Sequence, residues 1–406
     1  MMKVFQVNVV YKFGSTGKIV SDIHSTLINK GYESIVCYGR GDQYQEQNVY
    51  KLAPEIVMKF QSLQSKISGF QYKGGIIGTQ SLINKIENNK PDVVHLHCIN
   101  AYMVNIYKIL DYLKKHNIPT VLTFHAEFMY TGGCIHAHDC DKWKTGCYDC
   151  SQNRNKISLL FFSDIEKKQW NLLKESYSGF DNMVITCVSN WMAERVRLSP
   201  FFKSNRIEVI FNGLDTNIFR PTPFDDLIVK HELVNYKIVL HITPNFMDPL
   251  KGGRFVIELA HNFYQSHPEI KFIVIGSNVC NANIDIPPNI IPLPFTVDMI
   301  ELAKYYSLAN LTLLTSSKET FSMVTAESLS CGTPVIGFKS GGPESMALPE
   351  YSSFVEYGNV AELEKKILEM IDLKFSHSNI AEEAHKIYSK EQMANKFIDV
   401  YNALLK

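Results

Sequence analysis

Short apolar runs rich in valine and isoleucine alternate with longer amphipathic stretches along this chain, and the alternation starts twice. The first series runs through the segment from Val4 to Val10, then "ESIVCYG", "DVVHLHC", "TVLTFH", "VITCVS" and "IEVIFNG". Runs of this length with so few polar interruptions fit strands buried on both faces, and helix-length spacers such as "KIVSDIHSTLINKG", with Gly31 as its stop, fit the crossovers of a parallel sheet. Prolines and polar residues in "NGLDTNIFRPTP" mark a linker. The pattern then resumes with "YKIVLHIT", "GGRFVIELAHNFYQSH", "IKFIVIGS", "MIELAKYYSLA", "LTLLTSS", "SMVTAESLSCG" and "PVIGF". The expected fold class is α/β: two Rossmann-like, doubly wound domains, over residues 1–212 and 220–385, facing a central cleft. The amphipathic tail, residues 390–406, is expected to dock back as a helix. In such a pair the ligand belongs outside the carboxyl ends of the strands.

Composition narrows the class of function. A chain of 406 residues, 45% apolar, has material for two cores. Its 41 basic and 41 acidic residues cancel, with no strongly basic block, so no nucleic-acid partner is expected. No basic-then-apolar leader follows Met1 and no apolar run reaches membrane-spanning length, so the expected location is cytoplasmic. There, the nine cysteines should be reduced thiols, and a cluster of them raises a metal question before a disulfide question.

Near the N-terminus, "FGSTGK" has the look of a nucleotide loop but the spacing of none. A Walker loop needs five positions from its first glycine to the Gly-Lys pair and then Ser or Thr, whereas Gly14 and Gly17 are three apart and Ile19 follows Lys18. The three-glycine dinucleotide fingerprint is absent as well. The residues leave two readings open: a tight turn, or a strand–loop–helix corner whose backbone N–H groups face an anion.

The segment "SSKETFSMVTAESLSCGTPVIGFKSGGPES" resembles the signature of the retaining nucleotide-sugar transferases of glycosyltransferase family 4, which have the GT-B fold. "GSTGKI", "LTFHAEF", "VSNWM", "FNGLDTNIF" and "DPLKGG" extend the resemblance over most of the chain. The N-terminal glycine loop and the insert "GGC…CDKWKTGCYDC" resemble the branch that builds colanic acid and similar exopolysaccharides. The resemblance implies an N-terminal acceptor domain, a C-terminal donor domain, and transfer of a sugar from a nucleotide-diphosphate-sugar to a hydroxyl of a saccharide or lipid-linked saccharide. It also implies front-face attack with retention, no cofactor for transfer, and a place in bacterial exopolysaccharide synthesis. Glu327 becomes the ribose ligand, Glu319 the donor-sugar ligand, and His125 a contact at the catalytic centre. Phe321, Ser322, Met323 and Val324 fall on the donor side; Gly14, Ser15, Thr16, His97 and Asn100 fall on the acceptor side. Two positions depart from the family pattern: Asn245 stands where an Arg is usual, and Ser322 where a Gly is usual.

The chemistry behind these positions is legible without the family. Were Glu319 to Glu327 one helix, their carboxylates would stand about 12 Å apart at 1.5 Å per residue, a span that suits the two sugars flanking a pyrophosphate. Carboxylates can hold ribose and sugar hydroxyls by charge-assisted hydrogen bonds. The pyrophosphate gains charge as it leaves and needs cations and N–H donors. Lys251, before two glycines that open a helix, is the natural cation, with Gly17 completing the cradle. His125 ends its strand at the cleft edge, whereas His95 reads as structural. Asp139 and Asp141 form an Asp-x-Asp pair, but in a cysteine-rich loop with no preceding strand, so it is rejected as a metal motif.

Cys134, Cys140, Cys147 and Cys150, with His136 and His138 between them, fit either a structural zinc or packed free thiols. The stretch "KISLLFFSDIEKKQWNLLK" reads as a core helix, with peripheral contact to the inner face of a membrane as the other reading. Two further functions compete with a transferase: a GT-B epimerase or phosphorylase, and a silent sugar-nucleotide-binding subunit of a partner transferase.

Overall fold

The structure is a computed structural model that describes residues 1–137, 139–150, 164–280 and 285–406. The chain forms two compact units: residues Met1–Phe211 with Met393–Lys406, and residues Asn212–Gln392. The first holds strands β1 (Lys3–Asn8), β2 (Glu33–Tyr38), β3 (Val49–Lys51), β4 (Val93–Leu96), β5 (Thr120–Phe124), β6 (Met183–Cys187) and β7 (Arg206–Val209). Its helices are α1 (Gly14–Asn29), α2 (Glu55–Ser68), α3 (Ile76–Asn89), α4 (Ile106–Lys115), α5 (Ile165–Tyr177) and α6 (Asn190–Leu198). All neighbouring strands pair in parallel, in the order β3-β2-β1-β4-β5-β6-β7. The winding direction reverses between β1 and β4, so a crevice is expected at the carboxyl ends of these two strands.

The second unit holds α7 (Asp225–Lys230), β8 (Lys237–Asn245), α8 (Gly253–Ser266), β9 (Ile270–Ser277), β10 (Ile290–Leu293), α9 (Met299–Leu308), β11 (Leu311–Leu314) and α10 (Met323–Ser330). It continues with β12 (Val335–Phe338), α11 (Gly342–Met346), β13 (Ser352–Val355), α12 (Val360–Ile371) and α13 (His377–Tyr388). Its six strands are again parallel, in the order β10-β9-β8-β11-β12-β13, and here the reversal lies between β8 and β11.

Local chemistry sets several boundaries. Asn105, Ser189, Asp298, Asn359 and Ser376 each accept a hydrogen bond from a backbone N–H of the helix they precede, satisfying donors with no partner inside the helix. Three strands escape the sequence pattern: β3, β10 and β13. All three are sheet edges, where one flank needs no partner and polar or proline residues are tolerated, as "VYK", "IIPL" and "SSFV" show. Two boundaries also shift. β1 stops at Asn8 rather than Val10, and α1 begins at Gly14 rather than Lys18. The turn between them folds back so closely that a Cβ on Gly17 would lie 3.2 Å from the Lys12 nitrogen, and that N–H donates to the Gly17 carbonyl.

Of the stretch read as core helix or membrane contact, residues 156–163 lie outside the described residues. From Ile165 it is α5, and Trp170, Leu173 and Tyr177 are buried in the first core, so this part packs inward.

The C-terminal helix α14 (Lys390–Leu404) buries Met393, Phe397, Ile398 and Tyr401 against Val4, Ile19, Ile23 and Leu27 of the first unit. One polar contact fixes its register. The Tyr401 hydroxyl meets His95 Nδ1 at 2.6 Å, while His95 Nε2 meets Thr123 Oγ1 at 2.7 Å. Both ring nitrogens are therefore occupied, as a structural histidine requires. Tyr401→Phe would leave one of them unpaired in a fully buried site, at a cost of about 1–3 kcal/mol. The expected outcome is a lower melting temperature for the first unit with the fold retained; an unchanged melt would show that the contact does not hold α14.

Candidate active site

At the winding reversal of the second unit, three connections converge. Lys251, just ahead of α8, places Nζ 2.7 Å from Glu319 Oε1. Behind the lysine, Thr315 Oγ1 donates to the Lys251 carbonyl at 2.9 Å, and the Ser317 N–H donates to the Leu250 carbonyl at 2.9 Å. Gly252 has φ +71°, and a Cβ there would fall 2.2 Å from the Thr315 oxygen. The two glycines after the lysine thus let the start of α8 lie against the end of β11, with the helix's first N–H groups at the carboxyl edge of the sheet.

Glu319 is not helical. α10 begins only at Met323, so the spacing expected for one continuous helix from Glu319 to Glu327 does not hold. Glu319 is held by backbone instead: its N–H donates to the Ser340 carbonyl at 3.0 Å, and its carbonyl accepts from the Gly342 N–H at 2.7 Å. A Cβ on Gly342 would sit 2.4 Å from the Thr320 carbonyl carbon, so only glycine admits this approach. The loop after β12 is fixed in turn by Glu344, whose carboxylate accepts from the N–H groups of Ser340 and Gly341 at 3.0 and 2.8 Å.

Ser322 caps α10, its Oγ accepting from the Thr325 N–H at 3.2 Å, with φ +104°. A glycine would carry that angle without strain, which accounts for the glycine usual there. Phe321 is buried, and Met323 and Val324 are half-buried at the helix start. Glu327, one turn on, has Oε2 2.9 Å from the hydroxyl of the buried Tyr306. Sequence reasoning missed this tyrosine; its signal was only a polar aromatic inside an apolar helix. Asn245 ends β8 with its Oδ1 accepting from the Met247 N–H at 3.2 Å and from Asn278 Nδ2 at 2.9 Å. Its amide thus braces the loop rather than offering the charge of the usual Arg.

The first unit gathers histidines at the ends of β4 and β5. His97 Nδ1 lies 3.1 Å from His125 Nε2 with the rings stacked, and His95 is packed on the other side of His97, ring centroids 3.8 Å apart. Burial lowers the pKa of His125 to about 4. Burial, and then the neighbouring imidazoles, put His97 well below its usual value. Both rings are neutral at pH 7. Asn8, at the end of β1, joins this corner to the glycine loop: its Oδ1 accepts from the Cys98 N–H at 3.0 Å and its Nδ2 reaches Thr16 Oγ1 at 3.4 Å. Gly14 and Ser15 are exposed at the start of α1, Gly17 is buried beneath the turn, and Asn100 is half-buried after β4. Ala101 and Tyr102, next in sequence, both have positive φ, 55° and 63°. The structure thus groups Lys251, Glu319, Ser322 and Glu327 in one unit, and Thr16, His97 and His125 in the other. The four cysteines line one small cavity in the connection from β5 to α5; His138 lies outside the described residues.

The sequence and the fold can be set beside known proteins. The family description Glycosyltransferase Family 4 matches residues 16–218, and Glycosyl transferases group 1 matches residues 232–387. A protein of Escherichia coli (strain K12), provisionally named colanic acid biosynthesis glycosyl transferase WcaC, is 19% identical over 99% of this chain and 100% of its own. The alpha-monoglucosyldiacylglycerol synthase of Acholeplasma laidlawii is 22% identical over 78% of this chain and 79% of its own. Among solved structures, sucrose-phosphate synthase from Thermosynechococcus elongatus aligns with TM-score 0.69 at 16% identity, covering 100% of this chain and 99% of that one. Anabaena Alr3699/HepE in complex with UDP and glucose aligns with TM-score 0.64 at 15% identity, covering 99% and 100%. By sequence and by fold, the chain belongs to Glycosyltransferase Family 4 and is a hexosyl-transferring glycosyltransferase of the GT-B fold.

Proposed function

We propose that the chain transfers a sugar, with retention, from a nucleotide-diphosphate-sugar to a hydroxyl of a saccharide or lipid-linked saccharide in cell-surface polysaccharide synthesis. The Lys251–Glu319 contact carries this reading. An ammonium has three N–H donors and a carboxylate two oxygens. The pair can therefore stay joined while the lysine also meets pyrophosphate oxygens and the glutamate meets hydroxyls of the transferred sugar. Charge built on the leaving phosphate is offset by Lys251 and by the N–H groups opening α8, so the transfer step itself takes no divalent metal. Glu327, oriented by Tyr306, takes the ribose. His125 takes the role that the family resemblance implies, a neutral contact at the reacting sugar. Glycine and hydroxyl groups of the first loop, Gly14 to Gly17, with His97 and Asn100, take the acceptor side. No carboxylate is assigned as a covalent nucleophile, and attack on the face that the phosphate leaves, with the phosphate oxygen receiving the acceptor proton, balances the step.

A cytoplasmic enzyme serving a lipid-linked acceptor would meet the inner membrane face, and α2 supports such a contact. Ile56, Phe60, Leu63 and Ile67 are 77%, 62%, 54% and 36% exposed. At spacings of four, three and four residues they form one helical face, with Lys59 exposed beside it. Sedimentation with anionic vesicles should retain the wild-type protein and lose Phe60→Ser with Leu63→Ser. Equal retention of both would remove α2 as the contact.

Two variants test the donor site. Glu327→Ala should chiefly weaken nucleotide binding, because the ribose contact is present before and during reaction. Glu319→Ala should bind the bare nucleotide diphosphate as well as wild type does yet turn over about 100-fold more slowly, because it misplaces the reacting sugar. Calorimetry and product mass separate the two, and excess chelator added only for the time scale of turnover checks that transfer proceeds without added divalent metal. Wild-type turnover by Glu319→Ala would overturn the assignment.

The buried histidines set a pH dependence. Burial holds His125 and His241 at about 4, and His95 and His97 also lie below the ordinary 6.5. The unfolded chain then binds more protons than the folded one as the pH falls below about 6.5. Their contribution is complete above that pH and declines toward pH 4, by at most about 1.4 kcal/mol per pH unit for each group. Melting temperature should fall between pH 6.5 and 5, above the range where carboxylates titrate; a flat profile would refute the neutral histidine row.

A further inference from the structure

We propose that Cys134, Cys140, Cys147 and Cys150 bind one structural zinc ion that staples the excursion between β5 and α5. All four are free thiols, and all four line the same cavity of about 30 Å³. That is roughly room for one ion or a couple of waters. His136 does not line the cavity, so the ligand set is four sulfurs, including the close Cys147-x-x-Cys150 pair. Four thiolates favour zinc over harder cations.

The backbone around the cavity is held independently of any metal. Glu127, 1% exposed, accepts from the Tyr130 hydroxyl at 2.6 Å, from the Ala137 N–H at 2.7 Å and from Arg195 Nε at 2.5 Å. Arg195 lies over the rings of Trp143 and Trp191. The Trp143 carbonyl accepts from Trp170 Nε1 at 2.8 Å, and the Gly132 carbonyl accepts from Gln169 Nε2 at 2.9 Å, which tie both ends of the cavity to α5. Gly132 donates its N–H to Cys147 Sγ at 3.2 Å, an outer contact of the kind that orients a thiolate ligand. Lys142, Asp149 and Glu166 line the same cavity, with Lys142 Nζ donating to the Asp149 carbonyl at 2.7 Å.

Among the described residues, no three Cys, His, Asp or Glu side chains already stand as a finished ligand set. The step proposed is therefore closure of thiols already gathered on a fixed frame. One Zn²⁺ binds four cysteine sulfurs, and their four protons go to solvent. Because β5 runs into this excursion through His125, the ion would also fix the chain just beyond the proposed catalytic histidine.

The full-length chain, purified untagged and without chelator, should contain one zinc per chain by elemental analysis. Cobalt exchanged into it should give thiolate charge-transfer absorption. Cys134→Ser and Cys150→Ser should each lose the metal, whereas Cys280→Ser, at an exposed cysteine of the second unit, should keep it. Prolonged chelation should lower the melting temperature of the wild-type protein and leave that of the Cys134→Ser variant unmoved. If the two variants do not fold, the wild-type stoichiometry and cobalt spectrum still decide. Metal-free protein in which Cys134, Cys140, Cys147 and Cys150 are all alkylated, or a mass deficit showing a Cys134–Cys150 disulfide, would overturn the proposal.

Discussion

Between the loop after β12 and the turn that carries Glu319 there is room for a hydrogen atom and nothing larger. That closeness at Gly342 lets the Glu319 backbone be gripped from both sides. A matching closeness at Gly252 presses the Lys251 segment onto the end of β11. The charged pair is thus carried on backbone segments fixed by packing, which bring its two side chains within reach of each other. A carboxylate and an ammonium held this way lose little further entropy when a ligand arrives, which is what a preorganised electrostatic site requires. Either glycine replaced by a larger residue would move a backbone segment rather than a side chain, so the site and the local fold share one constraint.

The first unit uses a different device. Its carboxyl edge is lined by imidazoles stripped of solvent, and burial keeps them neutral. A neutral ring both donates and accepts, so the row from Tyr401 through His95 to Thr123 and Thr186 forms one continuous hydrogen-bonded chain across the sheet. The C-terminal helix is thereby tied to the strands whose ends carry His97 and His125. The hydroxyl of a residue 306 positions away completes a contact in the middle of the sheet. This explains why the tail belongs to the first unit although it follows the second in sequence.

The fold class was legible because buried parallel strands must be almost wholly apolar, and runs such as "KIVLHIT" or "TVLTF" admit few other readings. β3, β10 and β13 escaped because at an edge half the hydrogen-bonding demand is met by solvent, which relaxes the compositional signal, whereas the edge strand β7 kept enough apolar residues in "IEVIFNG" to be read. Lys251, Glu319 and Glu327 were singled out through resemblance to a family motif, but the local geometry behind the motif was not legible. Seven residues separate the glutamates, yet only the second is on a helix, because Ser322 turns the chain with φ +104° before α10 begins. Tyr306 and Glu344 were hidden because each acts through a partner far away in sequence or through backbone, and neither relation leaves a periodicity.

Ser322 shows how sequence and geometry weigh against each other at such a site. A β-carbon at φ +104° is strained, at a cost on the order of 1–3 kcal/mol. Part of that cost is offset here. The same side chain that glycine lacks accepts from the Thr325 N–H at 3.2 Å and meets Thr325 Oγ1 at 3.0 Å, capping a helix of only eight residues. A serine cap is worth about 1 kcal/mol over a residue with no acceptor, but only a few tenths over glycine. The balance therefore still leans toward glycine on stability alone. The serine stands against that balance at the start of the helix that carries Glu327, beside the turn that carries Glu319. Its hydroxyl is turned to the Thr325 N–H and hydroxyl, so the departure from glycine acts on the start of α10.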